Sequence, residues 1–309
     1  MNDLSIVIVS HNTRELLRAC LRSAFDGLAR SGLRGEVWVV DNASADGSAD
    51  MTRAEFPQAI LIANADNRGF AAANNQAIAQ SDSRHVMLLN SDAEVRGDAL
   101  GVLVRMLDGE KKAGAVGARL VYPDGSFQHS AFRFPGFAQI FLDFFPLHHR
   151  LLDSSLNGRY PRRLYQNAEP FPVDHPLGAA LVVRAETIRQ VGMLDDGFFM
   201  YCEEIDWCWR MRKAGWKVYC APAAEVMHHG AQTTRKFREE MFVALWRSRF
   251  RLYEKHRGLF YARLVRRWVR ALMGLDAARI RRRLERGQIA PDEAKALLLA
   301  YARVADLQG

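Results

Sequence analysis

The sequence has few cysteines and no long apolar run, and these absences exclude several classes of protein. Its four cysteines form no CxxC pair and have none of the usual zinc spacings, which excludes a disulfide framework and a cysteine-based zinc site. We therefore expect reduced thiols and a cytosolic compartment. No run approaches the roughly 18 apolar residues of a transmembrane helix. The first residues enter a predicted strand, without the basic and apolar regions of a signal peptide. We expect a soluble protein, or one held peripherally on the inner face of the cytoplasmic membrane.

Acidic residues are scarce relative to basic ones in the last quarter of the sequence. Residues 232–309 contain 19 Lys and Arg against 8 Asp and Glu, and the whole chain has a formal net charge of +8. Residues 1–231 are therefore slightly acidic. The concentrated positive charge suits anionic membrane lipids. Nucleic-acid binding is not expected, because no recognition module is evident.

The basic region is predicted to be mostly helical, and one of its helices is amphipathic. Apolar side chains recur there at helical spacing, and arginines occupy other positions. The apolar positions are Phe260, Tyr261, Leu264, Val265, Trp268 and Leu272, and the arginines are Arg263, Arg266, Arg267 and Arg270. Such a helix suits a membrane surface. Packing of its apolar stripe on the N-terminal domain, or on a second subunit in a homodimer, explains the pattern equally well.

Short apolar runs alternate with helical segments through the first two hundred residues. Runs of strand length lie at residues 4–9, 36–40, 60–62, 86–89, 115–122 and 178–184. Continuous apolar runs are typical of strands that are covered on both faces. Their alternation with helices predicts an α/β fold with a mostly parallel, Rossmann-like sheet. Thr13 is placed to cap the first helix, and two later helices are predicted over residues 185–191 and 203–213.

An aromatic and proline-rich segment, residues 131–172, interrupts this alternation. Its longest apolar part, residues 137–145, is too short to span a bilayer. The segment is predicted to be a loop or short helix over a functional site, touching an acceptor or a membrane. A covered surface segment is the simpler interpretation.

Polar residues follow several of the predicted strands, so their side chains are expected at one edge of the sheet. In open α/β sheets, ligands bind beyond the carboxyl ends of the strands. Asn90, Ser91 and Asp92 follow the strand at residues 86–89. A carboxylate at this position can hold Mg²⁺ against the phosphates of a nucleotide. A polar turn that ends the strand is the alternative interpretation of the triplet.

Two further polar residues follow the first two strands. Asp41 is placed to accept hydrogen bonds from a base or a ribose, although helix capping explains an aspartate there equally well. For the nearby Asp46, helix capping is the favoured interpretation. His11 either stacks on a base or is a polar turn residue, and the residues alone favour the turn.

The predicted helix at residues 203–213 begins with three acids among aromatic residues. Asp206 faces Arg210 at a spacing of four residues, which predicts an ion pair on the helix surface. Glu204 has no cation at either helical spacing. A carboxylate left unpaired among apolar rings has a raised pKa, which suits a general base. The alternative is a salt-bridged helix start, since acids are favoured there by the helix dipole.

Adjacent histidines, His228 and His229, precede Gly230 where a predicted strand gives way to a loop. An imidazole there can bind a transition metal or contact a phosphate. A pair of surface histidines is the alternative interpretation.

Taken in order, these motifs resemble those of family 2 of the inverting, GT-A-fold glycosyltransferases, especially its rhamnosyltransferase-like members. The resemblance covers roughly residues 4–235. The matching segments are 5–12 (SIVIVSHN), 39–44 (VVDNAS), 67–70 (NRGF) with Asn74, 88–92 (LLNSD), 178–180 (GAA), 192–195 (GMLD), 198–206 (FFMYCEEID), Arg210 and 228–230 (HHG).

The resemblance implies a division of the chain. A GT-A domain, with a mixed and mostly parallel sheet flanked by helices, is expected over residues 1–231. Its nucleotide-sugar-binding half would end near residue 95, and its acceptor-binding half would occupy about residues 96–231. Residues 232–309 would form a C-terminal helical extension.

The resemblance also assigns roles to residues. Asp41 would read the base of a nucleotide-diphosphate sugar, and the segment from Val9 to His11 would line the base pocket. Asp92 would bind Mg²⁺ or Mn²⁺ as the last position of the family's Asp-x-Asp motif, and His228 would contact the metal or the diphosphate. The other residues expected at the donor are Asn67, Gly69, Asn74, Asn90, Ser91 and Arg210.

Glu204 matches the position of the catalytic base, with Asp206 as its support. Two residues depart from the wider family's pattern: Asn90 replaces the first aspartate of the metal motif, and Glu204 replaces an aspartate that is common at the base position. The first departure leaves one carboxylate for the metal. The rhamnosyltransferase-like branch has both patterns.

The implied reaction moves a sugar, with inversion, to a saccharide or polyprenyl-linked saccharide in the synthesis of a cell-surface polysaccharide. The branch resemblance favours dTDP-rhamnose as the donor, and UDP-sugars stay open. One rival is a sugar nucleotidyltransferase, but such enzymes usually grip a triphosphate with a glycine-rich loop after the first strand, and residues 10–15 contain no glycine. A second rival is a non-catalytic, membrane-associated binding protein on the same fold.

Overall fold

The computed structural model describes residues 1–145, 148–230 and 238–307. The described chain divides into two compact units. Unit 1 comprises residues 1–134, 159–199 and 203–230, and unit 2 comprises residues 135–145, 148–158, 200–202 and 238–307.

Unit 1 consists of strands and helices that alternate along most of the chain. Its strands are β1 (Asn2–Ser10), β2 (Gly35–Asn42), β3 (Ile60–Asn64), β4 (Ser83–Leu89), β5 (Ala93–Val95), β6 (Ala113–Val121), β7 (Phe127–Gln128), β8 (Ala131–Phe132), β9 (Phe171–Val173), β10 (His175–Pro176), β11 (Ala180–Arg184) and β12 (Lys217–His228). Its α-helices are α1 (Arg14–Ser31), α2 (Ser48–Glu55), α3 (Phe70–Ile78), α4 (Ala99–Gly109), α7 (Ala185–Val191) and α8 (Glu203–Lys213).

A mixed sheet organises unit 1. Within the described residues it has ten strands, with the main order β3-β2-β1-β4-β11-β6-β12-β5. Strands β1 to β4 are parallel to one another, β11 is antiparallel to both β4 and β6, and β12 is parallel to β6. Six strands therefore point the same way, which confirms the predicted mostly parallel α/β sheet.

The sheet is buried on both faces, as its continuous apolar runs predict. Side chains alternate across a strand, and β1 shows the consequence. Leu4, Ile6 and Ile8 enter one apolar core with helices α1 and α4. Val7 enters the other core, which contains residues of α3, α7 and α8. One short strand thus contributes to two cores.

Most predicted elements of unit 1 are present, with two corrections. Helices α7 and α8 have the predicted bounds. Thr13 precedes α1, but its hydroxyl makes no capping bond to the helix, because it hydrogen-bonds to the hydroxyls of Ser10 and Ser91. The strand predicted before His228 is the end of a longer strand, β12, with register irregularities after Lys217 and between Ala221 and Glu225.

Unit 2 is helical. Its helices are α5 (Phe137–Phe144), α6 (His149–Leu152), α9 (Arg238–Arg257), α10 (Leu259–Glu285) and α11 (Pro291–Ala305). They share an apolar core in which Ile140 and Phe144 of α5 pack with Trp246 and Val265. Among the described helices, none combines the length and the apolar character needed to cross a bilayer.

The predicted apolar stripe of the C-terminal region is partly buried and partly exposed in the structure. Val265 and Leu272 are buried in the core of unit 2, whereas Phe260, Leu264 and Trp268 are exposed. At about 100° per residue the six predicted positions span one broad arc of α10, and only the edge of that arc with Val265 and Leu272 faces the core of unit 2. The predicted amphipathic helix is therefore present as α10, with its apolar stripe only partly packed on unit 2.

The units also differ from the predicted division at residue 231. Residues 135–145, 148–158 and 200–202 are far from the C-terminal region in sequence, yet they belong to unit 2. The apolar residues of α5 explain this grouping, since they complete the core that α9 and α10 form.

Candidate active site

Residues at the ends of six strands meet at one edge of the unit 1 sheet. Ser10 is in register with Asp41 at the carboxyl ends of β1 and β2. After β4, the backbone N–H of Asn90 donates to the carbonyl of Ala179, 3.0 Å away, just before β11. His228, the last residue of β12, pairs with Ala93 at the start of β5. The polar residues that follow these strands therefore share the carboxyl edge of the sheet.

The edge contains a carboxylate and an imidazole in contact. His228 Nε2 lies 3.3 Å from Oδ1 of Asp92 and 3.4 Å from Nδ2 of Asn90. On the other side of the ring, Nδ1 lies 3.2 Å from Oε1 of Gln128. A carbonyl oxygen can only accept, so Gln128 assigns the proton to Nδ1, and in the neutral ring the lone pair is on Nε2.

This arrangement fits a divalent cation. The lone pair on Nε2 of His228 and the carboxylate oxygen of Asp92 face each other, and both are attracted to a positive charge placed near them. Histidines that bind metals are typically oriented by a hydrogen bond from their other ring nitrogen, as Nδ1 is here. Carboxylates suit Mg²⁺ and Mn²⁺, whereas imidazole suits transition metals, so the pair fits Mn²⁺ better. Within the described ranges no three His, Cys, Asp or Glu side chains form a metal-binding group. Most ligands would therefore be phosphate oxygens and water.

Asp41 has an unused hydrogen-bonding atom. Its side chain is buried, and Oδ2 accepts from the backbone N–H of Ser44 at 3.0 Å. Oδ1 is buried without a hydrogen-bond partner in the described part of the chain. Asp41 thus caps a tight turn through Ala43, which has a φ of 60°, and does not cap a helix. Capping applies to Asp46, which accepts from the N–H of Ser48 at 3.0 Å.

His11 is fixed by the neighbouring strand. Its Nδ1 donates to the backbone carbonyl of Asn42 at 2.8 Å, and its Nε2 lies 3.3 Å from Nδ2 of Asn12. Val9 is partly buried in the second core of unit 1. The turn role of His11 is therefore present, and the ring orientation is set by β2.

The loop at Asn67 is organised by an amide that the sequence analysis did not single out. Asn42 is buried, and its Nδ2 donates to Oδ1 of Asn67 at 2.8 Å and to the carbonyl of Gly69 at 3.2 Å. Its Oδ1 accepts from Nδ2 of Asn64 and from the N–H of Arg68, both at 3.1 Å. These four bonds satisfy the side chain and fix the loop against β2 and β3.

Gly69 and the backbone around it make the closest contact of this loop. Gly69 has a φ of 81° and a ψ of 171°, a conformation that is essentially restricted to glycine. A Cβ there would lie 2.5 Å from the carbonyl oxygen of Phe199. That oxygen accepts from the N–H of Phe70 at 2.7 Å. The loop is therefore clamped to the segment that leads to α8.

Asn74 and Ser91 face the protein interior. Asn74 donates from Nδ2 to the carbonyl of Phe70 at 2.8 Å, and its buried Oδ1 has no partner within the described ranges. Ser91 accepts from the hydroxyl of Thr13 at 3.0 Å. These contacts hold α3 and the turn after β4, so both residues stabilise the backbone next to the edge.

Helix α8 begins with two buried carboxyl groups, Glu203 and Glu204. Burial raises the pKa of Glu204 to about 7, and the backbone N–H groups of Glu204, Ile205 and Gly178 oppose that rise. Burial also raises the pKa of Glu203, and the charge of Glu204 adds to the effect. Oε2 of Glu203 is buried without a partner in the described part of the chain. Ionisation of one of these two glutamates therefore opposes ionisation of the other.

Asp206 and Arg210 form the predicted ion pair, at 2.8 Å from Nε to Oδ2. Asp206 is fully buried. The Arg210 guanidinium also donates to three backbone carbonyls of the turn after α7, those of Val191, Gly192 and Met193. These contacts attach α8 to that turn. They give no support to the predicted role of Arg210 in donor binding.

A short chain of contacts joins Glu204 to Asp92. A Cβ added at Gly178 would lie 3.5 Å from Cβ and Cγ of Glu204. The next residue, Ala179, accepts from the N–H of Asn90, which lies two positions before Asp92. The acid of α8 and the carboxylate after β4 therefore belong to the same edge of the sheet.

Several residues of this edge were not predicted. Asn42 lies in the VVDNAS segment. An amide side chain at the end of a buried strand is the sequence signal that could have identified it as a site residue. The contacts of Gln128 and Gly178 are with residues far away in sequence. Glu203 affects the adjacent Glu204 because both are buried, and that burial is known only from the fold. No spacing pattern identifies such contacts.

The chain matches known glycosyltransferases in sequence. Over 98 residues it is 38% identical to an N-acetylglucosaminyl-diphospho-decaprenol L-rhamnosyltransferase of Mycobacterium tuberculosis, a match that covers 31% of each chain. Over 85 residues it is 34% identical to rhamnosyltransferase WbbL of Escherichia coli, covering 28% of this chain and 32% of the relative. Each match thus spans less than a third of the relative's length.

Solved structures of low sequence identity share the fold. A mannosyltransferase of Pyrobaculum calidifontis, solved with GDP-Man and Mn²⁺, is 15% identical and superposes with a TM-score of 0.59 over 98% of this chain and 87% of its own. GalNAc-T7, solved with UDP, GalNAc and Mn²⁺, is 15% identical with a TM-score of 0.57 over 74% of this chain and 43% of its own.

The sheet order, the polar carboxyl edge and these similarities agree with a match to a single family. Residues 5–185, more than half of the sequence, match the family described as Glycosyl transferase family 2. The chain belongs to glycosyl transferase family 2.

Proposed function

We propose that this protein transfers a sugar from a nucleotide-diphosphate sugar to an acceptor hydroxyl, with inversion at the anomeric carbon. The observation that supports this most is the shared position of Glu204, a buried acid with a pKa of about 7, and the Asp92–His228 pair at one edge of the sheet. A base and an anion-neutralising group are the two parts that a direct displacement needs.

The donor would lie along the edge from β2 to β12. Oδ1 of Asp41, which is buried and unpaired within the described ranges, is suited to accept from the base. His11 and Val9 would border the base, while Asn67 and Gly69 shape the loop that lies next to it. Asn90 is 3.4 Å from His228 and would lie near the diphosphate.

Asp92 and His228 would hold Mn²⁺ or Mg²⁺ against the diphosphate of the donor. When bound, the cation supplies charge neutralisation for the leaving group. The contribution of the protein is the fixed geometry of the two ligands. Gln128 orients the imidazole through Nδ1, so the lone pair of Nε2 faces Asp92.

Glu204 would act as the general base. As a carboxylate it takes the proton of the acceptor hydroxyl while the acceptor oxygen forms a bond to the anomeric carbon. The bond from that carbon to the diphosphate breaks on the opposite side, and its electron pair leaves with the nucleotide diphosphate. A single displacement of this kind inverts the anomeric configuration and needs no covalent intermediate.

Asp206 and Arg210 would position the base without touching the substrate. Asp206 is fully buried, and Arg210 attaches α8 to the turn after α7. Their ion pair holds the first turn of α8 in place, and Glu204 lies in that turn. We therefore give Arg210 a positioning role in place of donor binding.

Rhamnose is the sugar that we favour, because the relatives from M. tuberculosis and E. coli are rhamnosyltransferases by name. A lipid-linked saccharide is the favoured acceptor class, since the M. tuberculosis relative is named for a decaprenol-linked substrate. The synthesis of a surface polysaccharide on the cytoplasmic side of a membrane follows as the proposed setting.

The test is a transfer assay with the purified full chain, several nucleotide sugars and Mn²⁺. We expect release of a nucleoside diphosphate, fastest with dTDP-rhamnose, and loss of about 10²–10⁴-fold in kcat for Glu204→Gln. Glu186→Gln, an exposed acid on α7, is the matched control and should keep full activity.

Removal of divalent metal with EDTA should stop turnover, and Asp92→Asn should raise the Mn²⁺ concentration needed to restore it. Release of pyrophosphate from a triphosphate would identify a nucleotidyltransferase instead.

A further inference from the structure

Helix α10 carries an exposed apolar stripe that the proposed reaction does not use. Phe260 is 77% exposed, Leu264 40%, Trp268 39% and Leu275 63%. The first three are spaced by four residues and the fourth follows seven residues later, so all four lie on one side of the helix. Isolated exposed apolar residues are ordinary, but a contiguous stripe marks an interaction surface.

The packing of α10 uses mainly another side of the helix, although Trp268 also stacks on Phe141 of α5, with ring centroids 6.4 Å apart. The opposite side of the helix is buried in the core of unit 2, through Ala262, Val265, Val269, Leu272 and Met273. One side of α10 therefore stabilises unit 2, and most of the exposed stripe is accessible to a binding partner.

The surroundings of the stripe are strongly basic. Between Glu254 and Asp276 the sequence has no acidic residue, and it has Lys255 and five arginines. Arg266 is paired with Glu254 at 2.6 Å. Arg263 and Arg267 are exposed and flank the apolar stripe along one side of the helix.

We propose that this surface, formed by Phe260, Leu264, Trp268 and Leu275 with Arg263 and Arg267, docks on an anionic lipid bilayer. Large apolar and aromatic side chains beside arginines are what a helix needs to lie in the plane of a membrane interface. Negative lipid headgroups attract each nearby basic residue. The charge complementarity selects the bilayer as the occupant.

A second copy of the chain is a poorer occupant on the same grounds. In a two-fold symmetric dimer the same surface patch meets itself. If the two helices run antiparallel in such a dimer, Arg263 and Arg267 of one copy approach those of the other, and like charges at an interface oppose association. The apolar stripe alone fits either occupant, and the arginines decide between them.

The test is flotation of the full chain with vesicles, which measures binding without any need for activity. Failure of this proposal is therefore distinct from failure of the proposed sugar transfer. We expect binding to vesicles of phosphatidylcholine with 30 mol% phosphatidylglycerol, weakened by added salt, and little binding to phosphatidylcholine alone.

Two pairs of variants separate the apolar and the basic parts. Phe260→Ser with Trp268→Ser should weaken binding to anionic vesicles at least about tenfold. Arg263→Gln with Arg267→Gln should weaken it about fivefold for each arginine removed. Phe260, Arg263 and Arg267 are exposed and Trp268 is partly covered by Phe141, so circular dichroism and a thermal melt check that each variant retains the fold.

Matched controls use exposed residues elsewhere in unit 2. Leu156→Ser with Leu299→Ser removes two exposed apolar side chains, and Lys295→Gln with Arg303→Gln removes two exposed charges from α11. Both should bind vesicles like the wild type. Equal loss in the controls, or equal binding to neutral vesicles, would overturn the proposal. So would a concentration-dependent dimer that Phe260→Ser with Trp268→Ser abolishes while vesicle binding is unchanged.

Discussion

Two neighbouring glutamates at the start of α8 have different surroundings. Glu204 receives hydrogen bonds from backbone N–H groups, including that of Gly178. Glu203 is buried beside it, and its Oε2 has no partner within the described ranges. Burial raises the pKa of both, but three backbone N–H groups oppose the rise at Glu204 and only its own N–H opposes it at Glu203. Ionisation should therefore begin at Glu204, as the proposed base requires.

The pH dependence of turnover tests this assignment. The proposed base works as a carboxylate, and the pKa of Glu204 is about 7. We expect kcat/KM to fall about tenfold per pH unit below pH 7 and to level off above it. A pH-rate profile with saturating Mn²⁺ measures this. A flat profile between pH 5.5 and 7 would exclude Glu204 as the base.

The ionisation of Glu203 should make the protein less stable as the pH rises, whereas most acidic groups make a protein more stable as the pH rises. Its pKa is raised on folding, so the folded state binds more protons than the unfolded state above the unfolded pKa. The free energy of unfolding then falls as the pH rises towards the folded pKa, by at most about 1.4 kcal/mol per unit for one group. Glu203→Gln should flatten this dependence in denaturant titrations at pH 5.5 to 8.5. An unchanged slope would contradict the role of burial.

Gly69 is the glycine that the fold requires most clearly. Gly69→Ala places a Cβ 2.5 Å from the carbonyl oxygen of Phe199, at a φ of 81°. We expect a loss of about 3 kcal/mol in the free energy of unfolding. Gly125→Ala has a φ of 79° with nothing within 4 Å, so it should cost about 1–2 kcal/mol for the conformation alone. Equal losses in urea titrations would show that the contact with Phe199 is unimportant.

Among the elements, the loop at residues 67–69 depends on an amide from a strand. Asn42→Asp keeps the shape of the side chain but replaces the donor to Oδ1 of Asn67 and to the carbonyl of Gly69 with an acceptor. We expect the loop to loosen and KM for the sugar nucleotide to rise more than kcat falls. Gln80→Glu, an exposed amide after α3, is the control for the added charge and should change neither constant. A fall in kcat at unchanged KM would argue against a role in donor binding.

The elements were predictable to different degrees. Strands such as β1 follow from their continuous apolar runs, and α8 follows from its acidic start and its glycine stop. The partners of the site residues do not follow in this way. Gln128 is 100 positions from His228, and only the pairing of β6 with β7 and β12 brings them together. The apolar pattern of α10 was visible, but which side of it would be buried depends on α5, α9 and α11.

At the scale of the whole molecule, the helical unit is not a removable tail. The segment with α5 lies about a hundred residues before α9 in sequence, and Ile140 and Phe144 belong to the core that contains Trp246 and Val265. A chain that ends at residue 230 would retain α5 without its partners. We expect such a chain to aggregate or to bind a hydrophobic dye strongly.

The companion to this truncation is the same chain with Ile140→Ser and Phe144→Ser. Removal of the uncovered apolar side chains should reduce the aggregation measured by light scattering. A truncated chain that is monodisperse without these changes would show that α5 does not need the C-terminal helices.

The register of β12 limits how homologous sequences can vary in length. From Glu225 to Met227 the strand is paired continuously with β6, and His228 comes next. Since side chains alternate across a strand, one residue inserted in this run would turn the imidazole away from Asp92 to the far side of the sheet. The turn between β6 and β7 at residues 123–126 has no such constraint. Evolutionary insertions and deletions should therefore accumulate in that turn and be absent from the last four residues of β12.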